Sequence, residues 1–184
     1  MARYLALLLF GALAAAAPTL PRQTLSCKDA SMANSSWTVG GFHYSSSVTY
    51  STPSHRIANG WVNFNLTNYA LPLATMSCSA TSSQMSDFFY GNQWYQCADS
   101  SGNDAEFQFD KSSKRLDLQQ RWACVDDVPL MNFLGKGNAT VALDCQTERW
   151  QNQNWTMGDT YSKEYTNCTP QNLWIEAREL LAST

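Results

Sequence analysis

Apolar and polar residues alternate along several short segments between residues 60 and 145. In the first segment Val62, Phe64 and Leu66 fall on one side of the chain, and Phe107 and Phe109 do the same in a later one. An alternation with a period of two residues is typical of a β-strand that buries one face. The pattern predicts six strands at residues 60–67, 73–80, 93–97, 106–109, 115–124 and 139–145. The inward positions of the strand 115–124 are Leu116, Leu118, Gln120, Trp122 and Cys124.

Two further segments extend this pattern toward the ends of the chain. Residues 37–44 are predicted to form a strand, and Gly40-Gly41 within it indicates a bulge or bend. Residues 172–178 are predicted to form a last strand or a short helix, whereas residues 148–167 show no clear pattern. Polar residues with turn chemistry predict connections at residues 45–53, 68–72, 79–87, 99–104, 110–114 and 126–136. Within the first of these, a short strand at residues 48–50 is an alternative.

The length and the order of these elements define the fold class. A chain of 184 residues is expected to form one domain. Short strands that follow one another through tight connections predict an all-β protein, a single antiparallel β-barrel or barrel-like sandwich stapled by disulfides. We place this domain at residues 27–184, with a C-terminal extension after the last cysteine-bearing strand.

The first residues have the composition of a secretory signal peptide. Arg3 supplies a positive charge, residues 4–13 are apolar, and small residues follow up to Ala17, where we expect cleavage. The apolar run is too short to span a bilayer. We therefore predict that residues 1–17 are a signal peptide, that residues 18–26 are a short pro-segment or a disordered N-terminus, and that the protein is secreted and extracellular.

Four of the six cysteines lie in or at the end of predicted strands. Six cysteines allow 15 pairings, and the sequence alone does not choose among them. Strand order favours Cys78–Cys97 and Cys124–Cys145, because each pair lies on consecutive predicted strands. Each of these bridges is expected to stabilise the fold by about 3 kcal/mol through loop closure.

The remaining cysteines, Cys27 and Cys168, would then tie the two ends of the domain together. A bridge between them predicts a monomer. The alternative is that Cys27 stays free for a bridge between two chains, which would give a disulfide-linked dimer.

Asn-x-Ser/Thr triplets occur five times, and each is a candidate acceptor for an N-linked glycan. Asn34 and Asn138 are the favoured acceptors, because they lie in polar stretches typical of turns. The five candidate acceptors are Asn34, Asn65, Asn138, Asn154 and Asn167.

Charge and ligand chemistry exclude several function classes. The chain has 12 Lys and Arg against 15 Asp and Glu, a net charge of -3, so it lacks the basic surface of a nucleic-acid-binding protein. No later segment is long and apolar enough to cross a membrane. The cysteines are far apart in sequence and only two histidines are present, so we predict neither a metal site nor a cofactor.

No group of residues has the spacing of a catalytic site. His43 and His55 are the only histidines, and a Gly-x-Ser-x-Gly motif is absent. Asp126 and Asp127 form the one obvious carboxylate pair, but adjacent residues in an extended chain point in opposite directions. We therefore predict that the protein is not an enzyme and name no catalytic residue.

Aromatic side chains are the other candidates for ligand binding. Most of them should lie in the core of a small barrel, and at most one or two should belong to a ligand surface. The candidates are Trp61, Trp94, Tyr95, Trp122, Trp150 and Trp155. This observation keeps open an alternative class, a carbohydrate- or cell-wall-binding or structural surface protein.

Five short segments carry a resemblance to a known family. They are Trp37-Thr-Val-Gly-Gly-Phe-His-Tyr44, Met76-Ser-Cys-Ser-Ala80, Trp94-Tyr-Gln-Cys97, Phe107-Gln-Phe-Asp110 and Leu116-Asp-Leu-Gln-Gln120. With these motifs the chain resembles the Alternaria major allergen-like family of small secreted fungal β-barrel proteins, over roughly residues 27–145. The segment after Cys145 is longer than the family pattern and adds Cys168.

The resemblance implies an antiparallel β-barrel, secretion, no enzyme activity and a role as an allergen or as an effector that acts on plant hosts. It also implies binding of an unknown host protein or a small phenolic-type ligand. In the family an early cysteine, at the place of Cys27, links two subunits. We expect a secreted, non-enzymatic binding protein of this effector- or allergen-like kind.

Overall fold

The computed structural model describes residues 25–98, 104–125 and 129–184. Within these residues the chain forms one short helix and ten strands. The helix is α1 (Cys27–Ala33). The strands are β1 (Ser36–Thr52), β2 (His55–Asn68), β3 (Thr75–Ser82), β4 (Tyr95–Ala98), β5 (Asp104–Asp110), β6 (Arg115–Cys124), β7 (Met131–Thr140), β8 (Cys145–Gln151), β9 (Ser162–Cys168) and β10 (Gln171–Ser183).

Eight of these strands close into an antiparallel barrel. Strands β1 to β7 pair in sequence order, β10 pairs with β7, and β10 also pairs with the first part of β1. This last pairing joins the two edges of the sheet, so the barrel strands are hydrogen-bonded on both sides. The predicted all-β fold and the antiparallel barrel are confirmed.

Strand β1 belongs to two parts of the molecule. Its residues Ser36 to Phe42 pair with β10, and its residues Ser45 to Tyr50 pair with β9. Between them the register against β2 shifts from Gly40↔Asn65 to His43↔Asn63, and Gly41 has a φ of 66°. The predicted bulge is confirmed, and it allows β1 and β2 to continue beyond the barrel and carry β9 and β8. We call these four paired segments the extension.

Aromatic and aliphatic side chains fill the barrel interior. The alternation predicted for β2, β5 and β6 is confirmed, since every predicted inward residue is buried. Ring contacts connect opposite strands, with centroids 5.2 Å apart for Phe42 and Phe109 and 4.9 Å apart for Phe64 and Phe107. Because these side chains occupy the interior of the described barrel, a ligand of appreciable size has to bind at a rim or on the outer surface.

A few inward positions are polar, among them Asn68 on β2, Ser82 on β3 and Gln120 on β6. Gln120 on β6 is 1% exposed, and its Oε1 accepts hydrogen bonds from Trp37 Nε1 at 2.6 Å and from Asn68 Nδ2 at 2.8 Å. Trp37 lies on β1 and Asn68 ends β2, so this amide connects opposite walls of the barrel. A buried polar group with its partners satisfied is tolerated in a core, and here it fixes how the walls face each other.

Several secondary-structure predictions are wrong at least in part, and one of them is the loop predicted at 79–87, because β3 continues to Ser82. The connection predicted at 126–136 contains the start of β7, and the strand predicted at 139–145 is instead the end of β7, an irregular segment and the first residue of β8. The loop predicted at 45–53 is the second half of β1, so the alternative of a strand at residues 48–50 is the correct one. The polar composition hid this strand because small hydroxyl residues, Ser45 and Ser46, occupy buried positions there.

Strand β7 escaped prediction because glycines occupy two of its inward positions. A Cβ at Gly135 would lie 3.0 Å from the rings of Trp122 and Trp37, and one at Gly137 would lie 2.5 Å from the carbonyl oxygen of Glu176. Large side chains from neighbouring strands use the space that an apolar residue on β7 would otherwise fill. The strand therefore lacks the alternation that identifies its neighbours.

The disulfide prediction is confirmed for one bridge and wrong for the other two. Cys78–Cys97 joins β3 to β4 as expected. The predicted bridges Cys124–Cys145 and Cys27–Cys168 do not form. The structure instead contains Cys27–Cys124 and Cys145–Cys168, so all six cysteines are paired within the chain.

Helix α1 and the hairpin formed by β8 and β9 account for the observed pairing. The helix, which the pattern did not predict, begins at the N-cap Ser26 and packs against the end of β6, where Trp122 Nε1 donates to Ser31 Oγ at 2.9 Å. This places Cys27 beside Cys124. Cys145 and Cys168 lie directly opposite each other on β8 and β9.

Among the described residues no helix is long and apolar enough to cross a membrane.

Candidate functional site

A cleft of about 480 Å³ lies on the outer surface at one end of β5, β6, β7 and β10. Four of its lining residues, one from each strand, are register partners on neighbouring strands and form one row of outward side chains. They are Asp104, Arg121, Leu134 and Leu181. The volume is within the range of small-molecule sites, and we call this feature the rim cleft.

The rim cleft combines apolar and charged side chains. Leu134 and Leu181 supply apolar surface, and Leu181 is 64% exposed. Trp122 and Phe133 lie behind them, with their rings stacked at a centroid distance of 5.4 Å. Arg121 supplies fixed hydrogen-bond donors and a positive charge. This arrangement can hold a small molecule with an apolar body and an acceptor or anionic group directed toward the guanidinium.

The outward side chains that continue from the cleft along β5, β6 and β7 are largely ionic. Arg115 contacts Asp117 at 2.6 Å, and Lys136 contacts Glu179 of β10 at 3.4 Å. We call this surface the charged face. Its acidic and basic members are Asp104, Glu106, Asp110, Arg115, Asp117, Arg121, Lys136 and Glu179.

One carboxyl group of the charged face has a shifted pKa. Desolvation would raise the pKa of Asp110, but hydrogen bonds from the hydroxyl and backbone N–H groups of Ser112 and Ser113 outweigh it and lower the pKa below its usual value. These bonds stabilise the ionised form and hold the β5–β6 turn. The predicted hairpin connection at 110–114 is confirmed by this turn.

The opposite side of the barrel has a different outer surface. Residues 61–67 of β2 and residues 75–81 of β3 present no Asp, Glu, Lys or Arg on their outward side, and neither do the adjoining positions Thr38, Tyr69 and Trp174. We call this surface the neutral face. It consists of Thr38, Trp61, Asn63, Asn65, Thr67, Tyr69, Thr75, Ser77, Ser79, Thr81 and Trp174.

The two histidines take part in separate local contacts. His43 Nε2 is 2.7 Å from Asn167 Oδ1, between β1 and β9. His55 Nδ1 is 2.8 Å from Ser51 Oγ at the β1–β2 turn. Asp126 and Asp127 lie outside the described residues. Within the part of the chain that the structure describes, no group of three His, Cys, Asp or Glu side chains could hold a metal ion.

The aromatic candidates are divided between the core and the surface. Trp122 is 3% exposed and belongs to the core. Trp94 and Trp150 are exposed, whereas Trp61, Tyr95 and Trp155 are half-buried. The sequence interpretation missed the pair formed by Tyr69 and Trp174, whose rings are 6.4 Å apart and which are 45% and 50% exposed. The two residues are more than one hundred positions apart in the sequence, so no local pattern predicts this contact.

The candidate glycan acceptors lie in different settings. Asn34, Asn65, Asn154 and Asn167 are exposed, and Asn138, which the sequence favoured, is half-buried on β7. Asn65 lies in the middle of the neutral face, opposite Gly40 on β1 and Ser77 on β3. Glycosylation at these positions stays a prediction.

The fold and its bridges define a class of protein, the small antiparallel β-barrel stapled by disulfides, with its interior filled by side chains. In a comparison with protein families, residues 39–168 match the family described as Alternaria alternata allergen 1. This is well over half of the chain, and the chain belongs to this family. The match extends beyond the resemblance seen in the sequence and includes β8 and β9. Neither the curated proteins nor the solved structures include a significant match.

Proposed function

We propose that this protein is a secreted, effector- or allergen-like fungal protein that acts by binding and not by catalysis. Membership of the allergen family supports this proposal, and three intrachain disulfides are consistent with an extracellular protein. We further propose that residues 1–17 direct secretion.

We propose that the ligand is a small phenolic-type molecule and that it binds in the rim cleft. The observation that carries this proposal is the combination of Leu134 and Leu181 with Arg121 in one cleft of about 480 Å³. An aromatic ring can pack on the leucines while a carboxylate or phenol oxygen accepts hydrogen bonds from the guanidinium. A host protein that presents such a group would use the same contacts.

Isothermal titration calorimetry with p-coumaric acid, a phenol that also carries a carboxylate, tests this proposal. We expect saturable binding that weakens by about tenfold in Arg121→Gln, since a charge-assisted hydrogen bond is lost. Leu181→Lys should also weaken binding, because it removes apolar surface from the cleft.

The matched control is Leu73→Lys, a leucine-to-lysine change at a residue that is 101% exposed and lies outside the cleft. This variant should bind p-coumaric acid as the unmodified protein does. Equal binding by all variants, or no binding by the unmodified protein, would count against the rim cleft as a phenolic site.

A further inference from the structure

The neutral face has a regular arrangement along β2. Trp61, Asn63, Asn65 and Thr67 point outward at alternate positions, and Tyr69 follows just after the strand. At about 3.3 Å per residue, the row from Trp61 to Thr67 is about 20 Å long. An aromatic ring therefore stands at each end of a row of amide and hydroxyl groups.

Neighbouring strands widen this row into a surface. Thr67 lies opposite Thr38 on β1 and Thr75 on β3, and the hydroxyls of Thr67 and Thr75 are 3.0 Å apart. Trp174 on β10 lies opposite Thr38 and brings its ring against Tyr69. Hydroxyl and amide side chains thus lie beside an aromatic pair that is about half exposed.

The absence of charge at these positions is informative about the ligand. The face is bordered by charged groups, since Glu176 is exposed two residues after Trp174 and Glu106 lies on β5. Eleven outward positions, ten on four strands and Tyr69 just after β2, nevertheless hold only Thr, Ser, Asn, Tyr and Trp. An ionic partner would find no opposite charge here, whereas a ligand rich in hydroxyl groups would find donors and acceptors throughout.

We propose that the neutral face binds an extended, uncharged, β-linked glycan chain. The apolar C–H face of a pyranose ring packs on an exposed aromatic ring, and its equatorial hydroxyls hydrogen-bond to amides and hydroxyls in the plane of the sugar. The pair Tyr69 and Trp174 anchors one end of the chain, and Trp61 lies at the other. This site is separate from the rim cleft and does not depend on it.

Asn65 is both a member of the face and a candidate glycan acceptor. A glycan attached there would cover the surface and compete with a free chain. The experiment therefore uses the mature protein with Asn65→Gln, which keeps an amide at this position and removes the acceptor.

Calorimetric titrations with cellohexaose and with chitohexaose test the proposal and distinguish a glucan from an N-acetylglucosamine chain. Binding of at least one of them is expected, with little change in affinity between about 0.05 and 0.5 M NaCl, because no charge is involved. Tyr69→Ala with Trp174→Ala should weaken binding by about tenfold or more. Oligogalacturonate, an anionic chain, should not bind.

Trp150→Ala is the matched control, because Trp150 on β8 is 53% exposed against 50% for Trp174 and lies outside the neutral face. It should leave glycan affinity unchanged. A second variant, Ser77→Glu, places one charge in the face and should also weaken binding, whereas Thr140→Glu on the charged side should not. The five side chains replaced in these variants are exposed, and unchanged thermal unfolding would show that each variant is folded.

Three results would overturn the proposal. The first is that neither cellohexaose nor chitohexaose binds the Asn65→Gln protein. The second is that Trp150→Ala weakens binding as much as the Tyr69→Ala, Trp174→Ala variant does. The third is that oligogalacturonate binds as well as the neutral chains.

Discussion

The charged face and the neutral face lie on one barrel, yet their outward residues have little in common. On β5 and β6 the outward residues include Asp104, Glu106, Arg115 and Arg121, whereas on β3 they are all Ser or Thr. The inward residues of both sides are mostly apolar, and they are buried on both sides. The barrel therefore constrains the interior alone, and each outer surface is free to differ.

Stability does not explain this difference. Exposed ion pairs such as Arg115–Asp117 and Lys136–Glu179 each contribute about 0 to 1 kcal/mol. Hydroxyl pairs across strands, such as Thr67 and Thr75, contribute about as much. Either kind of surface would therefore support the fold, and the segregation of charge does not follow from stability.

The largest predicted effect on stability comes from replacing Gln120, whose side chain connects β6 to β1 and β2. In Gln120→Leu the donors Trp37 Nε1 and Asn68 Nδ2 lose their shared acceptor in the core. Leaving these groups unsatisfied should lower the free energy of unfolding by about 3 kcal/mol. Urea unfolding followed by tryptophan fluorescence measures this change.

Gln119→Leu is the control for this prediction, because the neighbouring side chain points outward and contacts Glu106 at 2.6 Å. It should change the free energy of unfolding by less than about 1 kcal/mol. Similar losses for the two glutamine variants would show that Gln120 does not join the walls.

A smaller effect is predicted from a pair of glycines, one on each side of the barrel. In Gly137→Ala the new Cβ meets the Glu176 carbonyl oxygen and Ile175, where β7 packs against β10. In Gly40→Ala, on the neutral side, the nearest atom is the Asn65 carbonyl oxygen at 3.9 Å. We expect Gly137→Ala to lose about 1 to 3 kcal/mol and Gly40→Ala to change stability by less than about 0.5 kcal/mol.

Thermal unfolding of the two glycine variants under identical conditions measures this difference. If Gly137→Ala were as stable as Gly40→Ala, the close contact between β7 and β10 would not be present in solution.

The sequence predicted the barrel where each strand carries its own pattern and failed where a strand depends on its neighbours. β5 and β6 alternate clearly, and their inward residues were identified correctly. β7 was missed because Gly135 and Gly137 accommodate tryptophans of other strands. The sequence also failed to predict helix α1 and its bridge Cys27–Cys124. These two cysteines are 97 positions apart and meet only because the helix packs against β6.

The candidate sites were less predictable than the fold. The rim cleft depends on Arg121, Leu134 and Leu181, which become neighbours through strand pairing, and no local motif marks them. The neutral face is visible in the sequence as uncharged strands, but the contact between Tyr69 and Trp174 requires closure of the barrel by β10. Sites built by register between distant strands cannot be read from one segment at a time.

The smallest predicted effect is a pH dependence of stability, which is expected on the charged face and not on the neutral face. The folded-state pKa of Asp110 is lowered by its bonds to Ser112 and Ser113, so the ionised carboxylate stabilises the fold above the unfolded-state pKa of about 3.9. This contribution is lost as the pH falls below about 4 through the lowered pKa. Ser112→Ala with Ser113→Ala should therefore destabilise the protein more at pH 6 than at pH 2.

Urea unfolding at the two pH values measures this dependence, with Ser77→Ala and Ser79→Ala on the neutral face as the control. Both serines are exposed, and β3 contains no Asp or Glu. Their replacement should therefore change the free energy of unfolding by an equally small amount at both pH values. A serine-to-alanine effect at residues 112 and 113 that stays constant between pH 6 and pH 2 would show that these hydroxyls act on the turn without stabilising the Asp110 charge. A pH-dependent effect confined to the charged face would establish that the two surfaces differ in electrostatics as well as in composition.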